Sequence, residues 1–142
     1  GDLIIKSSHL KSLNIGGEII STLIDELPIL FIACAVSSGI SKISGIEELR
    51  YKESDRIKSM EEGLNAVGIK STSTLDSIEI NGGEILGGKI NSYGDHRIAM
   101  AFSIAALISK KSITITDTKN ISTSFPNFID LMREQRADIY EL

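Results

Sequence analysis

Two runs constrain this chain more than anything else in it: Leu27-Pro28-Ile29-Leu30-Phe31-Ile32-Ala33-Cys34-Ala35-Val36 and Ile98-Ala99-Met100-Ala101-Phe102-Ser103-Ile104-Ala105-Ala106-Leu107-Ile108. Each reads as a helix that is apolar on nearly every side, and such a helix belongs inside a core rather than on a surface. Both are well short of the ~20 residues that a membrane span needs. At 142 residues the chain is one domain's worth and can bury a single core. The two helices are therefore expected to pack together, with the chain's sheets covering them.

What surrounds the two runs repeats at a shift of roughly seventy residues. Asp25, the first apolar helix, a strand at Ile40–Ser44, an amphipathic helix and a strand near Ile69 correspond to Asp95, the second apolar helix, a strand at Ser112–Thr116, a helix from Phe125 to Arg136 and a strand near Ile139. The expected fold is α/β (α+β), built of repeated β-α-β-α-β-β units with buried helices. One unit covers 1–83 and another 84–142, an incomplete single domain that units elsewhere would complete. The first apolar helix is expected to open at Asp25, with Pro28 in its first turn, where a missing N–H is harmless, and to stop by Gly39. Short strands are expected at Leu3–Lys6, Leu13–Ile15, Ile69–Thr72, Ser77–Ile80, Lys89–Tyr93 and Asp138–Glu141. Ile19–Ile24 reads as strand or loop.

The most charge-dense stretch is Glu48-Leu49-Arg50-Tyr51-Lys52-Glu53-Ser54-Asp55-Arg56, which leads into Ile57, Met60, Leu64 and Val67, a three-four spacing that makes one helical face ending at Gly68. Lys52, Glu53 and Arg56 thus sit around a helix start, where free backbone N–H groups and the positive end of the helix dipole favour anions. Asp25, Asp95-His96-Arg97 and Ser122-Thr123-Ser124 also fall at predicted helix starts. If the helices run side by side, these clusters share one end of the domain. Lys52, Arg56 and Arg97 would be its cations, and Asp25 and Glu53 its acid and base.

Plainer roles suit the same residues. Asp25 and Asp95 fit N-caps, worth typically ~1 kcal/mol each. Glu53 and Asp55 fit complements to a helix dipole, and Arg56 a solvated partner for either. His96 has no second His or Cys at ligand spacing, so it does not by itself mark a metal site. The glycine pairs lack a phosphate-loop pattern and read as turns.

A formal charge of −4 and a pI near 5.2 argue against nucleic-acid or anionic-membrane partners, so any anion site must be local. The single cysteine, Cys34, lies in an apolar run and can form no internal disulfide, which points to a reducing cytoplasm and an inert thiol. No signal peptide is visible at Gly1-Asp2-Leu3-Ile4-Ile5-Lys6, and the lack of an initiating Met suggests a piece of a longer chain.

Asp25-Glu26-Leu27-Pro28, the Glu48–Arg56 stretch, Asp95-His96-Arg97-Ile98-Ala99-Met100 and Thr123-Ser124-Phe125-Pro126, in this order, resemble the C-terminal portion of the 5-enolpyruvylshikimate-3-phosphate synthase family, over the whole chain. The Lys-Glu-Ser-Asp-Arg and Asp-His-Arg-Ile-Ala-Met runs separate that family from its relative, UDP-N-acetylglucosamine enolpyruvyl transferase, which stands as the alternative beside a non-catalytic anion-binding fragment. The resemblance implies a two-domain, inside-out α/β-barrel enzyme with its active site in the cleft. It implies transfer of the enolpyruvyl group of phosphoenolpyruvate to the 5-hydroxyl of shikimate 3-phosphate, with phosphate released and no metal or organic cofactor. It also implies that the missing remainder of the enzyme is this chain's partner, and that the chain alone is inactive.

Carried over by position, Asp25 matches the residue proposed to take the 5-hydroxyl proton and Glu53 the one proposed to protonate the methylene carbon. Lys52 matches a shikimate 3-phosphate contact, Arg56 and Arg97 the pair that holds phosphoenolpyruvate, and His96 a supporting neighbour. Thr123 stands where many members carry a phosphate-binding Lys, as in the glyphosate-tolerant branch, and Gln135-Arg136-Ala137 departs from the expected Leu-Gly-Ala-type turn.

Overall fold

The computed structural model describes residues 1–4 and 6–141. In chain order the elements are β1 (Asn14–Ile15), α1 (Ile19–Leu23), α2 (Leu27–Ala35), β2 (Ile40–Ser44), a 3-10 turn (Glu47–Tyr51), α3 (Arg56–Ala66), β3 (Ser71–Ser73), β4 (Ser77–Asn81), β5 (Gly88–Asn91), α4 (His96–Ala106), β6 (Ile113–Thr116), α5 (Ile121–Ser124) and α6 (Phe128–Glu134). One sheet has the order β1-β2-β4-β3, with β1 parallel to β2 and β4 antiparallel to both its neighbours. A second sheet pairs β5 with β6 in parallel. Parallel neighbours need a crossover, and an apolar helix supplies it in both sheets: α2 between β1 and β2, α4 between β5 and β6.

The apolar helices pack on each other in one core with Phe31, Ile43, Leu64, Ile78 and Phe102. The three-four spacing after Arg56 does what it predicts, since Ile57, Met60, Leu64 and Val67 are all fully buried. In β2 the inward residues are Ser41 and Ile43, while Ile40 and Lys42 face out. Ser41 tolerates burial because its hydroxyl accepts from the Leu13 N–H at 3.0 Å. On the outer face Lys42 lies opposite Glu79 and pairs with it at 3.1 Å.

Several elements differ from expectation. Ile19–Ile24 forms neither strand nor loop: Ile20, Leu23 and Ile24 recur at helical spacing, and they turn together onto the core as α1. Asp25 consequently lies in the turn between α1 and α2, and the cap position of α2 falls to Glu26, whose side chain makes no capping bond. The helix foreseen across Pro126 is broken in two. The residue before a proline is pushed off helical geometry, and Phe125 has left it at φ −142°, ψ 80°, so α5 ends there and α6 begins at Phe128. The strand foreseen at Asp138–Glu141 does not form. Of the strand foreseen at Leu3–Lys6, Ile5 lies outside the described residues; Leu3, Ile4 and Lys6 are exposed and unpaired to any strand.

The α3–α4 contact depends on an absent side chain. A Cβ on Gly63 would overlap the buried Phe102 ring. Alanine is intrinsically a better helix former than glycine by about 1 kcal/mol, but overpacking costs roughly 1–3 kcal/mol. Gly63→Ala should therefore destabilise the fold in chemical denaturation, and Phe102→Leu should relieve part of the loss; a stabilising Gly63→Ala would refute this contact.

Candidate active site

Arg56 is the first residue of α3, and its side chain is only 1% exposed. Burying a guanidinium is costly unless carboxylates meet it, and three do. Its Nε donates to Asp95 Oδ2 at 2.8 Å, Nη1 to Asp25 Oδ1 at 3.1 Å, and Nη2 to Glu53 Oε2. Asp95 is fully buried, whereas Asp25 and Glu53 are about half exposed at 45% and 50%. Arg56 therefore has a sealed side facing Asp95 and an open side bearing the other two carboxylates.

Asp95 is the N-cap of α4, with Oδ1 accepting from the Arg97 N–H at 2.9 Å and the Ile98 N–H at 3.4 Å. Its Oδ2 also takes a bond from the Ser54 hydroxyl at 3.1 Å. From the first turn of α4, Arg97 reaches back to the turn before α2. Its Nη1 donates to the Asp25 main-chain oxygen at 2.7 Å, and its Nη2 lies 3.5 Å from Asp25 Oδ2. Lys52 pairs with Glu48 at 2.5 Å, one helical turn back, and stands 4.0 Å from Asp25 Oδ1. Burial pushes the Asp25 carboxyl up, but Arg97, the hydrogen bond from Arg56 and then Lys52 outweigh it and hold the group below the usual carboxylate range.

A latch fixes the segment carrying Lys52 and Glu53. Arg50 Nε donates to the Leu75 carbonyl at 2.7 Å, its Nη2 to the Thr74 carbonyl, and its Nη1 to Asp55 Oδ2 at 2.7 Å. Asp55 Oδ1 in turn caps α3 through the Lys58 N–H at 3.0 Å. The 3-10 turn, the β3–β4 turn and the start of α3 are thereby tied together on either side of Lys52-Glu53-Ser54.

Asp25, Lys52, Glu53, Arg56 and Arg97 are brought together as the sequence suggests. Arg56 is not the solvated ion-pair partner that its plain reading allows. His96 opens α4 half-buried between Asp95 and Arg97, with no hydrogen bond of its ring among the described residues. Ser122, Thr123 and Ser124 form α5 rather than open a long helix, and among the described residues no polar contact ties them to the Arg56 cluster; the Ser122 hydroxyl bonds the Lys119 carbonyl. Asp95 and Ser54 as direct partners of the cluster, and Arg50 with Asp55 as its latch, were not foreseen. The Asp-His-Arg run places Asp95 beside the site but does not say that its second oxygen turns inward.

Parallel strand pairs crossed by buried apolar helices place the chain in the enolpyruvyl transferase fold of its structural neighbours. Two structures of the EPSP synthase of Acinetobacter baumannii superpose on this chain with TM-scores of 0.85 and 0.82, at 43% and 40% identity, each over 89% of this chain and 30% of the other. The chain belongs to the EPSP synthase (3-phosphoshikimate 1-carboxyvinyltransferase) family, whose model matches residues 2–132. It is similar to the 3-phosphoshikimate 1-carboxyvinyltransferase of Nitrosococcus oceani, 48% identical over 127 residues, which are 89% of this chain and 29% of that protein. It is equally similar to that of Methylococcus capsulatus, 48% identical over 138 residues, 97% of this chain and 32% of that protein. The chain thus spans about a third of the length of these relatives.

The depressed Asp25 acidity has a signed consequence. A carboxylate whose folded pKa lies below its unfolded one adds stability that is present above the ordinary aspartate range and lost as pH falls through the folded value. The stability difference between the protein and Asp25→Asn should accordingly shrink on acidification, followed by denaturant titration at successive pH values. A difference that widens in acid would contradict the arrangement.

Proposed function

We propose that this chain forms one wall of the active site of an enzyme that transfers the enolpyruvyl group of phosphoenolpyruvate to the 5-hydroxyl of shikimate 3-phosphate and releases phosphate. The observation that carries the proposal is the cluster itself: Arg56 joins two half-exposed carboxylates, Asp25 and Glu53, with Arg97 and Lys52 alongside, in a chain of this family. In the first half of the reaction the 5-hydroxyl oxygen bonds to the substituted carbon of the enolpyruvyl group. Its proton passes to Asp25, while Glu53 gives a proton to the methylene carbon. The tetrahedral adduct then expels phosphate as a methyl proton is lost and the double bond returns. Two proton transfers at different atoms need two separate carboxylates, and the charge moving onto phosphate needs fixed cations.

Arg56 and Arg97 hold the carboxylate and phosphate of phosphoenolpyruvate, Lys52 contacts shikimate 3-phosphate, and His96 supports the pair. Asp25 within this cluster is a weak base, because the cations around it stabilise its charge. Anionic substrates on Arg56 and Arg97 would offset those cations and restore its basicity. On this assignment the other wall comes from sequence beyond these 142 residues, and the chain alone turns over nothing. The same proposal divides it into units 1–83 and 84–142, each with a parallel strand pair crossed by an apolar helix. It carries a cytoplasmic setting, which suits a buried free thiol at Cys34 that burial makes harder to ionise.

The full-length protein carrying this chain should release phosphate from shikimate 3-phosphate plus phosphoenolpyruvate, and Glu53→Ala should lower kcat by about 10²–10⁴. No turnover, turnover indifferent to Glu53, or a preference for UDP-N-acetylglucosamine as acceptor would sink the proposal.

A further inference from the structure

We propose that Asp95 is a positioning residue for the enolpyruvyl donor, one carboxylate that sets the place and plane of Arg56 and, through the cap of α4, the starting point of Arg97. The inference rests on the function proposed above and deepens it. An ionised carboxylate has about four lone-pair sites. All four are taken in Asp95: Oδ1 by the N–H groups of Arg97 and Ile98, Oδ2 by Arg56 Nε and the Ser54 hydroxyl. None is left for a ligand, so Asp95 holds rather than reacts.

A cap alone does not explain this geometry. Capping uses one oxygen, and a cap does not offset the desolvation of a carboxylate with no exposure at all. The second oxygen, turned onto an equally buried guanidinium, supplies the difference. It also divides the partners of Arg56 into two kinds. Asp25 and Glu53 meet Arg56 from the half-exposed side, where an incoming phosphate or carboxylate can take their place on the guanidinium. Asp95 meets Nε on the sealed side and remains while the others exchange.

The loop before Asp95 is fixed more firmly than a cap requires. Tyr93 and Gly94 are both left-handed, at φ 54° and 70°. That conformation costs energy in a tyrosine and persists only where its surroundings impose it. Here Asn91 Oδ1 accepts from the Tyr93 N–H at 2.9 Å, and Asn120 Nδ2 donates to the Gly94 carbonyl. The buried Ser92 hydroxyl bonds the Thr116 and Asp117 carbonyls at 3.0 and 2.6 Å, and the Asp95 N–H donates to the Ser92 carbonyl at 3.0 Å. The start of α4 is thereby pinned to the end of β6.

Steady-state kinetics of the full-length enzyme tests this. Asp95→Ser keeps a good N-cap but is too short to hold Arg56, and Asp95→Asn keeps the size but loses the charge. Both should raise the KM for phosphoenolpyruvate by about 10–100-fold, with the KM for shikimate 3-phosphate within roughly twofold. If only thermal stability falls and the phosphoenolpyruvate KM stays unchanged in Asp95→Ser, Asp95 is a cap and nothing more. Should both variants fail to fold, Ser92→Ala, which touches neither arginine, should still raise the same KM by about two- to fivefold, and no rise there overturns the inference. An unmodified enzyme that releases no phosphate from the two substrates would overturn the function and this inference together, whereas normal turnover with unmoved KM values overturns the inference alone.

Discussion

A guanidinium cannot be taken out of water in a small domain unless the chain brings negative charge to meet it, and the Arg56 side chain is only 1% exposed. Every element near the site is arranged around that requirement. Asp95 comes from the loop after β5, Asp25 from the turn between α1 and α2, and Glu53 from the segment between the 3-10 turn and α3. These three segments are far apart in sequence, so the ion cluster stitches the crossover helix of one parallel pair to that of the other. The apolar core brings α2, α3 and α4 together, and the charges then fix how their N-terminal ends are set against one another.

Asp25 and Glu53 remain half exposed, and Arg97 spans from the start of α4 to the turn carrying Asp25 through both a main-chain and a side-chain oxygen. The cations are thus presented with their carboxylate partners already attached. On the proposed function, an incoming anion would substitute for a carboxylate on Arg56 rather than meet a bare cation.

Much of the fold is legible in the sequence because its strongest signals are local. The apolar runs became α2 and α4, the three-four pattern became α3, and Ile40–Ser44 is a strand at those residues. The signals that failed divide between distant context and a local rule that the periodicity masks. Ile19–Ile24 is rich in β-branched residues, yet the packing of Ile20, Leu23 and Ile24 against the core decides for a helix. Phe125-Pro126 splits a helix through a local rule that the periodicity conceals. In the site, residue types and helix starts are enough to gather Asp25, Lys52, Glu53, Arg56 and Arg97. They do not reveal which carboxylate is sealed. Asp95 looks like any capping aspartate until α3 is packed against α4 and its free oxygen faces Arg56.

The buried Arg56–Asp95 contact also limits how such a protein can change. Residues that share one hydrogen-bonded network do not contribute independently, so the effect of altering one depends on what its neighbours are. A lineage that replaced Asp95 first would strand a buried cation, and one that replaced Arg56 first would strand a buried anion. Neither single step is neutral, even if the doubly changed protein would be sound. Positions 56 and 95 are therefore expected to be locked to each other across descent.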